Sequence, residues 1–113
     1  MSYDRLQKTI PGTIVECERP PANGWCTYLA DFLELRKGVV IDYTEDWLGE
    51  GPRCLVEFRG TASPHGNNED GTCAWWVPPA MIDTVTGNYR LDDWYYNRAI
   101  KASSEYFQKT IPL

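Results

Sequence analysis

The sequence predicts a mainly β fold: a small barrel of about five strands with an α-helix packed on it at the C-terminal end. Three observations carry that reading. Short β-branched, aromatic and apolar runs recur between clusters of Gly, Pro, Asn and Asp. One longer stretch, 91–108, repeats its apolar residues at helical spacing. Five Trp, seven Tyr and three Phe supply the large buried area that a small sheet or barrel needs.

Residues 1–11 read as an N-terminal arm closing at Pro11-Gly12. Thr13 to Cys17 is β-branched and predicts the first strand. Arg19-Pro20-Pro21-Ala22-Asn23-Gly24 has loop chemistry. From Trp25 to Leu35, the residues Tyr28, Leu29, Phe32, Leu33 and Leu35 fit a helical stripe, and a long excursion with one helical turn fits as well. Val39 to Tyr43 is the clearest strand, and Thr44 to Pro52 is a Gly- and acid-rich connection carrying Trp47. Cys54 to Phe58 alternates, which sets Cys54, Val56 and Phe58 on one face and Leu55 and Glu57 on the other. A long polar loop spans 59–71, and Thr72 to Val77 is a core strand stopped by Pro78-Pro79. Ala80-Met81-Ile82 predicts one tight helical turn, and Asp83 to Thr86 a short closing strand. In the C-terminal helix Leu91, Trp94, Tyr95, Ala99, Ala102 and Tyr106 share one side, with Asp92 and Asp93 near the start and Lys101 and Lys109 towards the end, as the helix dipole favours. No internal boundary divides 1–113, so the expectation is a single domain: arm 1–11, barrel 12–86 and helix 91–108.

One pentapeptide occurs twice: Gln7-Lys8-Thr9-Ile10-Pro11 returns as Gln108-Lys109-Thr110-Ile111-Pro112. The copies are too far apart for a solenoid repeat. They are either coincidence or a copied terminus, or two segments that dock on equivalent surfaces between protomers.

The order of strand, long loop, strand, hairpin, strand, loop, strand, Pro-containing turn and short strand resembles an SH3-like small barrel over residues 11–86. The resemblance rests on Gly38-Val39-Val40-Ile41-Asp42-Tyr43, Leu55-Val56-Glu57-Phe58-Arg59-Gly60 and Trp76-Val77-Pro78-Pro79-Ala80-Met81-Ile82. It reaches the level of the superfold and no specific family, and the 59–71 loop and the C-terminal helix depart from the minimal barrel. Such barrels are mostly binding modules for Pro-rich peptides, other subunits or nucleic acid, and fold alone does not choose among these. The resemblance implies an aromatic groove at Tyr43, Trp47, Trp75 or Trp76, and Pro79.

With 113 residues the chain buries roughly 65% of its unfolded surface and holds one core. Its net charge of −5 disfavours direct nucleic-acid binding, which draws affinity from neutralised phosphates. The start Met1-Ser2-Tyr3-Asp4-Arg5 lacks the apolar stretch of a signal peptide, and no run approaches the roughly 20 apolar residues of a membrane span. The expectation is therefore a cytoplasmic chain without a membrane partner. Its four cysteines are expected as reduced thiols, although the even count permits two disulfides.

Chemical motifs are sparse. Cys17, Cys26, Cys54 and Cys73 are separated by 9, 28 and 19 positions, which lack zinc-ligand spacing, so no metal or other cofactor is expected. Cys73 with the single histidine, His65, and Asp70 as orienter is the one conceivable nucleophilic set, set against an exposed loop histidine and a structural strand cysteine. The acidic pairs Glu45/Asp46, Glu69/Asp70 and Asp92/Asp93 are chain neighbours, which often point apart. Trp75 and Trp76 must take opposite faces of a strand, so one fills the core while the other lies exposed or under the C-terminal helix.

The reading that follows is a small protein-binding module, inhibitory or regulatory, rather than an enzyme. A protein partner would meet Tyr43, Trp47, Trp75, Trp76 and Pro79 together with His65 and Asn67 of the 59–71 loop. The alternatives are an accessory subunit assembled by homo-oligomerisation, and a small enzyme or ligand binder using Cys73, His65 and Asp70.

Overall fold

In the computed structural model, which describes residues 8–21, 24–59, 71–85 and 91–110, five antiparallel strands form one sheet. The strands are β1 (Ile14–Cys17), β2 (Lys37–Thr44), β3 (Arg53–Arg59), β4 (Thr72–Val77) and β5 (Ile82–Thr84). Their order is β4-β3-β2-β1-β5, so β4 and β5 are the two edges of an open sheet. A 3₁₀ turn, Pro79–Met81, links them, with Pro in the first turn where its missing N–H costs nothing. Two helices complete the chain: α1 (Thr27–Leu33) inside the β1–β2 connection and α2 (Asp93–Thr110) at the end. The strands hold scarcely more residues than the helices, so "mainly β" describes the framework more than the content.

The inner face of the sheet carries the core. In β3, Cys54, Val56 and Phe58 are fully buried, as their alternation requires. Register pairs Cys54 with Val77, Val56 with Trp75 and Phe58 with Cys73, and brings these residues to the same side. Val15, Cys17, Val40 and Ile82 join them, and α1 covers them with Leu29, Phe32 and Leu33. The Phe32 and Phe58 rings meet edge to face, 5.9 Å between centroids. The helical reading of 25–35 thus holds for Thr27–Leu33, but Tyr28 and Leu35 leave the stripe and are exposed. Leu35 takes a left-handed φ of 58° just past the helix, which turns its side chain out of the stripe.

In β2 the register shifts between Val40 and Asp42, and the extra residue changes which side chains share a face. Val40 and Tyr43 both reach the inner core. Val39, opposite Glu57, is fully buried on the outer face, where α2 packs against β2 and β1. Arg98 of α2 donates from Nε to Glu57 Oε1 at 2.6 Å, and Arg59 pairs with Asp92 at 2.5 Å just ahead of the helix. The sheet therefore sits between two helices, α1 inside and α2 outside.

Some boundaries move. The C-terminal helix spans Asp93–Thr110 rather than 91–108: Asp92 is held outside by Arg59, and Lys109-Thr110 continue a helix already nucleated. The closing strand is Ile82–Thr84, starting one residue before the expected Asp83 and ending before Val85; Thr86 lies outside the described residues. The described residues of the two pentapeptide copies differ in conformation. Lys8 and Thr9 form a turn, with Lys8 Nζ donating to Ile82 O at 3.0 Å, whereas Gln108, Lys109 and Thr110 are helical.

All four cysteines remain thiols. Cys17, Cys54 and Cys73 are buried on strands and Cys26 is exposed. No helix among the described residues is long and apolar enough to cross a membrane.

Candidate functional site: a tryptophan-lined cleft

Three segments meet at the end of the sheet where β2 turns into β3. The first is the β1–β2 connection, which delivers Gly24, Trp25, Cys26 and Leu29. Helix α1 starts there because Cys26 serves as its N-cap, with Sγ accepting from Leu29 N at 3.4 Å. Beyond the helix start, Arg19 clasps Asp31 at 2.6 Å and Glu34 at 3.2 Å, tying the loop before the helix to its outer side.

The second segment is the β2–β3 loop. Trp47 N donates to Gly51 O at 2.8 Å and Glu50 N to Trp47 O at 2.9 Å. Leu48, Gly49 and Gly51 all have positive φ, so the loop is a tight turn rather than an open arm. Arg53 locks it from the first position of β3. Its Nη1 donates to Glu50 O and Pro52 O, its Nη2 reaches Glu50 Oε2 at 3.4 Å, and its guanidinium carbon lies 5.7 Å from the Trp47 ring centroid.

The third segment is the edge strand β4, with Ala74, Trp75 and Trp76. The tandem tryptophans do separate by face: Trp75 is opposite Val56 and packs on the core, and Trp76 is opposite Leu55 on the other side. Both are half-buried, and both reach the rim of the same hollow.

Together the segments line a cleft of about 650 Å³. Trp25, Trp47, Trp75 and Trp76 are four of the chain's five tryptophans, and Glu50 and Arg53 are the charged side chains among the described lining. The hollow offers flat apolar faces with a few polar groups at one margin. That combination suits ring stacking and extended apolar ligands rather than proton transfer.

The structure brings together Trp47, Trp75 and Trp76 of the anticipated set. Tyr43 instead points to the inner face and packs on the core, and Pro79 opens the 3₁₀ turn; neither lines the cleft. His65, Asn67 and Asp70 lie outside the described residues. Cys73 is 7% exposed within the core cluster, opposite Phe58. Burial pushes the Cys17 thiol up to about 12, with Glu16 adding to the shift, and burial pushes Cys54 up to about 11. Among the described residues no cluster of three or more Cys, His, Asp or Glu side chains has metal-binding geometry. Trp25, Arg53 and Glu50 were missed by sequence reasoning. The available signal was position: Trp25 directly follows the Asn23-Gly24 loop and Arg53 directly follows Gly51-Pro52.

Comparison of the chain with protein-family models, with curated proteins and with solved structures finds no match.

Proposed function

We propose that this chain is a protein-binding module of the SH3-like small-barrel class and that its tryptophan cleft takes an extended, proline-rich segment of a partner protein. The convergence of four tryptophans from three separate segments on one cleft carries the reading. A core requires rings on one face of a sheet, and this cleft recruits Trp76 from the opposite face and Trp47 from a loop. Aromatic side chains that are half-buried around an open hollow are the usual anchors of a binding surface. A polyproline II segment is a low-entropy ligand for such a groove, because its conformation exists before binding.

The barrel assignment is supported by the strand order, the irregularity in β2 and the 3₁₀ turn before the last strand. The first and second interstrand connections deliver Trp25 and Trp47 to the cleft. The test is affinity measured against proline-rich peptides for the parent chain and for Trp47→Ala and Trp76→Ala. Both variants are expected to weaken binding at least about tenfold, each losing a hot-spot aromatic worth roughly 2 kcal/mol. Unchanged affinity in both would remove the cleft from the account.

A further inference from the structure

Helix α2 carries two apolar stripes. One faces the sheet and includes the buried Ala102. The other runs through Tyr96, Ile100, Ser103 and Phe107, where the three large members are 43%, 68% and 57% exposed. Its spacing is 4-3-4, the seam of a helix that packs on another helix. Along the seam lies a shallow groove of about 430 Å³, lined by Ile100, Ser103 and Phe107 together with Ala99, Ser104 and Gly12, which follows the N-terminal arm. Gly12 makes the groove possible: at φ +99° its backbone lies so close to the helix that a Cβ there would stand 2.8 Å from Ser103 Cβ.

We infer that this seam pairs with the same seam of a second copy of the chain, the two helices running antiparallel. A 4-3-4 seam reads identically in both directions. A two-fold axis across its midpoint, between Lys101 and Ala102, sets each Tyr96 against the other copy's Phe107. It also sets each Ile100 against the other copy's Ser103, where the groove receives it. Large side chains thus meet a small one at the centre and an aromatic at each end, the self-complementarity that a closed dimer requires. The charges agree with that direction. Asp93 lies in the first turn and Lys109 in the last, so antiparallel pairing carries the acidic start of each helix towards the basic end of the other. Three turns of seam bury an area at or below the lower end for stable pairs, roughly 1,200 Å², so the dimer dissociates on dilution.

Sedimentation equilibrium on the full chain tests this between about 10 μM and 1 mM, where small interfaces assemble. The mass is expected to rise from that of one 13.0 kDa chain towards two. Ile100→Glu and Phe107→Glu, both at exposed positions, should stay monomeric with unchanged circular dichroism. Direction is read by disulfide trapping in a Cys26→Ser background, serine being a good N-cap. A mixture of Tyr96→Cys and Phe107→Cys chains should form the mixed disulfide faster than either chain forms its own. A parent chain that is monomeric throughout, a dimer that survives Ile100→Glu, or preferential Tyr96→Cys self-trapping would each overturn the inference. So would a different protein occupying the seam of a monomeric chain.

Discussion

Arg98 and Glu57 tie the outer helix to β3. The Arg98 Nε–Glu57 Oε1 distance is 2.6 Å, and the two side chains are only 17% and 14% exposed. A charged pair so shielded from water costs much to desolvate, and losing one partner is worse than losing both. Arg98→Met should therefore destabilise the fold by about 3 kcal/mol, whereas Arg98→Met with Glu57→Met should recover most of that loss. Chemical denaturation of the two singles and the double is the measurement.

The arm is held to α2 through Gly12. Its positive φ and its approach to Ser103 and Ala99 leave no room for a Cβ. Gly12→Ala is expected to cost about 1–3 kcal/mol by strain and displacement of the arm. Thermal melts of the two proteins compare directly.

Thiol labelling of the native chain should be fast at Cys26 and slow at Cys17, Cys54 and Cys73, in line with their burial. Mass spectrometry after brief alkylation should find one modified cysteine at first and four after denaturation. Rapid native labelling of Cys73 would contradict its place in the core and reopen its chemistry.

Stability should fall above pH 9. The folded-state values of Cys17 and Cys54, about 12 and about 11, lie above the ordinary 9.0 of an unfolded thiol. Between those values the unfolded chain releases protons that the folded chain retains, so their contribution is complete below pH 9 and is lost as pH rises towards 12. For Cys17 alone the slope is up to about 1.4 kcal/mol per pH unit. Denaturation midpoints across that range should fall in the parent and fall less in Cys17→Ala.

Much of the fold was legible where local signals agree. Cys54, Val56 and Phe58 alternate in a regular strand, so their common face followed from spacing alone. The helix at the C-terminal end was legible because its stripe is long. Faces in β2 were not, since the irregularity at Val40/Asp42 breaks the alternation and leaves no composition signature. The same holds for the identical Lys-Thr pairs at 8–9 and 109–110, where sixteen preceding helical residues decide the second conformation. At the site, Trp47, Trp75 and Trp76 stood out as unusual rings, but Trp25 and Arg53 join them only through tertiary placement. Tyr43 lies beyond the shifted register, which turns it to the inner face and onto the core.

The five indole N–H signals in a proton–nitrogen correlation spectrum provide the most direct test of the binding cleft. Trp25, Trp47, Trp75 and Trp76 line it, and Trp94, on α2, is the internal control. Titration with synthetic peptides of Pro-x-x-Pro spacing should move the four cleft signals along saturable curves and leave Trp94 in place. Shifts confined to Trp94, or no shift with any such peptide at about 1 mM, the weak limit of useful recognition, would contradict the account.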